Sequence, residues 1–150
     1  IQVNIAAAVQ ILNIHHLPEF IKWKIQKNYK KINLSYGYDN TQMGGGLINL
    51  HLVWIPSYFD IRVLPKEDKD RVVQHYSEFK KWLYENYSQD DDFWIHNPYG
   101  WKRYEALLEF MNSEDRSYLL TPLKEYIKIL DKRRNLNFNQ VFPEFSHWFL

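Results

Sequence analysis

Two stretches of alternating hydrophobicity with a helix between them limit this chain to few folds. In 2–10, Val3, Ile5, Ala7 and Val9 share one parity, and Gln2, Asn4, Ala6, Ala8 and Gln10 share the other. In 47–55, Ile48, Leu50, Leu52 and Trp54 alternate with Asn49, His51, Val53 and Ile55. Period-two alternation predicts strands with one apolar and one small or polar face. Leu17-Pro18-Glu19 opens a helix between them, with Pro in the first turn and Glu suited to the helix dipole. A strand, a crossover helix and a second strand form a βαβ unit, which pairs the strands in parallel.

Leu17, Phe20, Ile21, Lys24 and Ile25 trace the inward stripe of that first helix, which fades near Asn28 and Tyr29. Ile32–Tyr36 reads as a short strand, and 37–46 as a Gly- and Asn-containing loop. Beyond the second strand the pattern turns helical. Leu64-Pro65 starts a helix to about Tyr87, with Val72, Tyr76, Phe79 and Leu83 inward. Asn97-Pro98-Tyr99-Gly100 reads as a turn before a helix over Trp101–Met111. Thr121-Pro122 reads as an N-cap and first position of a further helix that ends in Lys132-Arg133-Arg134. Phe142-Pro143-Glu144-Phe145 is a short aromatic tail.

The fold class expected is therefore α/β: the last strands of a partial (β/α) barrel over 1–64, then a helical C-terminal cap over 65–150. Two or three parallel strands make no closed sheet, and the chain starts at Ile1 inside a strand, so it reads as part of something larger. The 150 residues, 45% hydrophobic and 17% aromatic, suffice for one packed core.

In a parallel barrel the inward strand face carries ligand-binding groups near the strands' C-terminal ends. That places Asn4, Asn49 and His51 as substrate-pocket candidates, and Gln10, Asn13, Val53 and Trp54 nearest the site. His15 and Glu19 stand one helical turn apart, but two ligands without a third make no metal centre, so no metal site is assigned. With no cysteine, disulfides, thiolate zinc, a thiol nucleophile and an iron–sulfur cluster ligated from this chain are all excluded.

Other features are weaker. Gly44-Gly45-Gly46 precedes a strand rather than a helix, the reverse of a phosphate-cradling loop. Asp90-Asp91-Asp92 lacks the spacing of a calcium loop. The sequons at Asn33 and Asn86 have no secretory context. Lys22, Lys24, Lys27, Lys30 and Lys31, interleaved with Trp23 and Tyr29, form a candidate nucleic-acid face, but a net charge of +1 weighs against it. No apolar run approaches the ~20 residues that span a bilayer.

Three segments carry a family resemblance: AAVQILNIHHLPEF, INLHLVWIPSYFDIRVLPKEDKDRV and YIKILDKRRNLNFNQVFPEF. Together they resemble the C-terminal half of radical S-adenosylmethionine proteins of the twitch or SPASM-related type. In that family a late barrel strand runs into an Asn (here Asn13) before a helix start, and a later strand ends at a Pro (here Pro56). An LP-x-x-x-K helix start follows, here Leu64-Pro65 and Lys69. A closing helix carries LD-x-x-R and then FPE, here Leu130-Asp131, Arg134 and Phe142-Pro143-Glu144. The resemblance covers most of the chain in order, and its motifs are loose.

It implies a partial barrel that holds a [4Fe–4S] cluster and S-adenosylmethionine and acts on a substrate, often a peptide or protein. By matching position, Gln10 and Asn13 would line the S-adenosylmethionine pocket, and Val53 and Trp54 would pack on its adenine. The cluster-binding CxxxCxxC is absent, so the resemblance is to a part of such an enzyme, not catalytically complete. With no visible signal peptide, it further implies a cytoplasmic location. The rival expectations are a non-enzymatic α/β protein-interaction domain, and a nucleic-acid-binding module using the lysine-rich first helix.

Overall fold

The computed structural model describes residues 5–27, 35–36, 42–43, 48–87 and 98–150. Its centre is a two-stranded parallel sheet, β1 (Ala6–Val9) against β4 (Asn49–Leu52). The register pairs Ala6 with Asn49 and Val9 with Leu52. Asn49 N donates to Ile5 O and Val53 N to Val9 O, each at 2.8 Å. The crossover between them carries α1 (Leu17–Gln26), so the βαβ unit expected from the alternation is present. Both strands are shorter than the alternation predicts. The expected strand at Ile32–Tyr36 is represented by β2 (Ser35–Tyr36), which pairs antiparallel with β3 (Gln42–Met43) in a separate ribbon. Asn4, Tyr29, Lys30, Lys31, Gly44–Gly46 and Asp90–Asp92 lie outside the described residues.

Helix dominates the rest. α2 (Lys66–Asn86), α3 (Pro98–Asn112) and α4 (Leu120–Arg134) are followed by the short α5 (Phe138–Val141) and a 3-10 stretch over Pro143–Phe149. α2 buries Val72, Tyr76, Phe79 and Leu83, the face its spacing predicts. Two boundaries differ from expectation. Pro98, Tyr99 and Gly100 form the first turn of α3 rather than a separate turn. Thr121 does not cap α4, because a 3-10 turn at Ser117–Leu119 runs straight into the helix and puts the cap at Leu119. Pro122 then sits third in the helix, where backbone N–H groups have no intrahelical acceptor and its missing donor costs nothing. α4 stops at Asn135, in the left-handed region at φ 52° that a short amide side chain tolerates.

One hydrophobic cluster runs through both segments. Val9, Ile11 and Ile14 from the end of β1 join Ile21 and Ile25 of α1, Tyr76 and Leu83 of α2, Met111 of α3 and Leu123 of α4. The aromatic tail is core rather than fringe: Phe145 and Trp148 are buried, their rings stacked at 4.3 Å.

Buried carboxylates tie the pieces together. Asp60, 1% exposed, takes a forked contact from Arg62, with Nη2 at 2.6 Å, and a longer one from Arg116 Nη1 at 3.5 Å. Burial pushes the Asp60 carboxyl up, but its hydrogen bonds and charge contact with Arg62 outweigh that and hold it below the usual carboxylate range. Asp68, in the first turn of α2, accepts from Trp148 Nε1 at 2.8 Å and His147 Nε2 at 3.2 Å, and pairs with Arg71. It thereby fastens the C-terminal tail to the N-terminal end of α2, where a negative charge suits the helix dipole.

Lys24 points inward from α1 and is fully buried. Burial lowers its ammonium to about 8. The unfolded chain therefore binds more protons than the folded one between that value and the ordinary 10.5, so stability gains with rising pH across this window. Urea denaturation at pH 7.5 and at about 9.5 should show Lys24→Met losing its advantage, or extending its deficit, relative to the wild type as pH rises. A pH-independent difference between the two proteins would place Lys24 at its ordinary pKa.

Candidate functional site

The register puts Ala6, Ala8, Asn49 and His51 on one face of the sheet and Ala7, Val9, Leu50 and Leu52 on the other. The second face packs on the core. On the first, Ala6, Ala8 and His51 are exposed and Asn49 is half-buried. The small and polar face expected to point at a ligand is thus the one left uncovered.

Both outer edges of the sheet border grooves. Beside β4 lies a cavity of about 430 Å³ lined by Asn49–Leu52 and, across it, by Arg103, Ala106 and Leu107 of α3. Arg103 Nη1 donates to Asn49 Oδ1 at 2.9 Å. Beside β1 lies one of about 390 Å³, lined by Ile5–Ala8 and walled by Asn13, His16, Leu17 and Phe20. The strands bond through Ile5 and Val9 to Asn49 and Val53, so the amides of Ala6, Ala8, Leu50 and Leu52 face these grooves. Arg103 was not among the sequence candidates. Its position on α3 gave no signal, because its contact with β4 is long-range.

The candidates at the strand ends behave differently from one another. Asn13 closes the turn after β1: its Oδ1 accepts from Gln10 N at 2.9 Å and its Nδ2 donates to Ala8 O at 2.8 Å. Gln10 Oε1 accepts from Leu12 N at 3.3 Å. These groups serve the backbone of their own turn. Val53 is half-buried. Trp54, expected to share the covered parity of Leu50 and Leu52, is 57% exposed, and Ile55 is 79% exposed. The strand ends at Leu52, so the alternation no longer dictates which side these residues face.

The residues present do not suit a [4Fe–4S] cluster, since the chain offers no thiolate. The fit to S-adenosylmethionine is also incomplete, because both amide atoms of Asn13 and the Oε1 of Gln10 are taken by backbone partners. Of the four residues assigned to it, Trp54 is the aromatic one, and its side chain is exposed. His15 and Glu19, one helical turn apart, have different neighbours. Glu19 pairs with His75, whose Nδ1 lies 2.9 Å from His15 O, and the His15 and His75 rings sit 4.7 Å apart. Burial, and then the charge of His75, lowers the His15 pKa. His16 Nε2 meets Glu144 Oε1 at 2.6 Å. Glu67, Asp68 and His147 approach one another closely enough to share an ion. The oxygens of Asp68, however, already meet Trp148 and the Arg71 guanidinium, a cation where a metal would have to sit.

The basic face expected on α1 is broken. Lys24 is buried, and Lys22 Nζ sits over the Trp82 ring at 4.5 Å. Among the described residues no helix is long and apolar enough to cross a membrane. Comparison with family models, curated proteins and solved structures gives no match.

Asn13→Ala leaves Gln10 N–H and Ala8 O without their side-chain partner, so it should cost about 1 kcal/mol of stability in urea denaturation. Asn13→Asp, which keeps the acceptor for Gln10 N, should cost less. Unchanged stability in both would free the Asn13 amide for a ligand.

Proposed function

We propose that this chain is the C-terminal part of a radical S-adenosylmethionine enzyme, supplying closing strands of the barrel and the helical cap over them. One observation carries the reading: a parallel β1–α1–β4 unit whose small and polar face is exposed and whose two edges border grooves, with no further strand paired to them among the described residues. A sheet of this kind is stable when further strands extend it and helices cover its outer face. Here the helices are in place on the apolar face. The three sequence segments that resemble the family lie on β1 and its turn, on β4 through α2, and on α4 through the tail.

In this reading Ala6 and Ala8 keep space inside the barrel, and Asn49, held by Arg103, and His51 project into it. Trp54 stands at the C-terminal end of β4, where ligands of such sheets bind. In the family a cysteine-bound iron–sulfur cluster would supply the electron that cleaves S-adenosylmethionine; this chain has no cysteine to hold that cluster, and no step of that chemistry falls to these residues. The substrate class that goes with the reading is a peptide or protein. The burial of Lys24 weighs against the nucleic-acid alternative.

The coding DNA upstream of Ile1 tests the proposal. An open frame running back through CxxxCxxC is the expected result. A start codon immediately before Ile1 would overturn it and favour a stand-alone interaction domain.

A further inference from the structure

Four histidines line the seam between the C-terminal tail, the turn after β1 and α2. His15 and His16 lie in a 3-10 turn at Ile14–His16, His75 on α2 and His147 in the tail. Three of them face carboxylates: His16 meets Glu144 at 2.6 Å, His147 meets Asp68 at 3.2 Å, and His75 pairs with Glu19. A proton on any of these three adds attraction. His15 has no such partner among the described residues.

The half-buried His15 ring is walled by three others. His75 lies 4.7 Å away, His16 stands edge-on at 5.7 Å, and Phe145 of the tail stands edge-on at 6.3 Å. His75 has an oxygen for each ring nitrogen: Nδ1 donates to His15 O at 2.9 Å, and Nε2 faces Glu19. Both oxygens are served at once only by the charged ring, so the cation of this pair belongs to His75. A proton on His15 therefore sets a second cation beside the first. The carboxylates that face His15, Glu19 from α1 and Glu144 from the tail, are engaged by His75 and His16. Arg71, one turn before His75 on α2, is turned to Asp68 and His147. Burial, and then the charges of His75 and His16, lower the His15 pKa against the opposing pull of Glu144 and Glu19.

The wall that can yield is the tail. The 3-10 turn is pinned, because Tyr76 donates its hydroxyl to Ile14 O at 3.1 Å and Ile14 is fully buried. We infer that the His15–His75 contact is an acid-operated latch: protons on both rings drive the tail segment 143–149 off α2 and the turn after β1. Phe145 and Trp148 leave their buried places with it. The released arrangement binds more protons than the closed one between the lowered His15 value and the ordinary 6.5. The closed tail is therefore fully stable above that window and is lost as pH falls through it. The inference does not rest on the radical-enzyme reading, since the latch lies at the tail seam and uses none of the open sheet face.

Amide hydrogen exchange across 143–149, expressed as protection relative to the intrinsic rate at each pH, tests it. In the wild type, protection should fall at least tenfold from pH 7.5 to 5.5 while that of α2 holds. His15→Gln keeps a polar side chain that takes no proton, and its tail should stay protected at both values. His75→Gln removes the neighbouring charge, so the acid loss of protection should shrink and the NMR titration midpoint of the His15 ring should rise. Equal tail protection in the wild type at the two pH values, or the same loss in His15→Gln, would overturn the inference. A wild-type His15 midpoint at or above 6.5 would overturn it without any variant.

Discussion

A parallel pair of four-residue strands has too little hydrogen bonding and too little buried area to persist alone, so its covered face must be sealed by the rest of the chain. That requirement organises the molecule. Val9, Leu50 and Leu52 offer an apolar surface, and Ile11 and Ile14 extend it past the end of β1. α1 and α2 close over it through Ile21, Ile25 and Tyr76, whose hydroxyl donates to Ile14 O at 3.1 Å. α3 and α4 bring Met111 and Leu123 to the same cluster. On the opposite face Ala6, Ala8 and His51 are exposed and Asn49 is half-buried, and that asymmetry is the basis of the functional reading.

Polar groups inside this structure act as fasteners between segments distant in sequence. Asp60 binds the turn after β4 to the loop before α4 through Arg62 and Arg116, while Glu114 bridges the same two arginines at 2.9 and 2.8 Å. Lys69 Nζ adds a bond to Glu114 O at 2.9 Å. Asp68 and the His16–Glu144 pair hold the C-terminal tail against α2 and the turn after β1. Removing one member of a buried pair leaves the other charge without compensation, so such fasteners fix the arrangement more than they add stability.

The sequence showed what periodicity and local chemistry dictate. Alternation marked β1 and β4, the 3.6-residue period marked the buried face of α2, and Gln10, Asn13, Asn49 and His51 followed from strand parity and strand ends. The misreadings came where local rules met a neighbour. Thr121-Pro122 is a sound cap signature, overridden by a 3-10 turn feeding the helix one step earlier. Trp54 fits the apolar parity but lies past the last strand residue. Asn13 sits at the expected strand end, yet its amide closes the turn there. Hidden altogether were the long-range pairs: Asp68 with Trp148, 80 residues apart, Asp60 with Arg116, 56 apart, and Arg103 with Asn49, 54 apart. No pattern in one sequence announces a partner at such separations.

The proposed reading makes the outer edge of β1, where the Ala6 and Ala8 amides face a groove and Asn13 Nδ2 already meets Ala8 O, the seam for a further strand. Amide hydrogen exchange measures this directly, comparing the 150-residue chain with the longer product that the proposal requires. The account predicts that Ala6 and Ala8 amides exchange rapidly in the short chain and become protected in the longer product, while Asn49 and Val53 are protected in both. Equal, fast exchange of Ala6 and Ala8 in both proteins would contradict it.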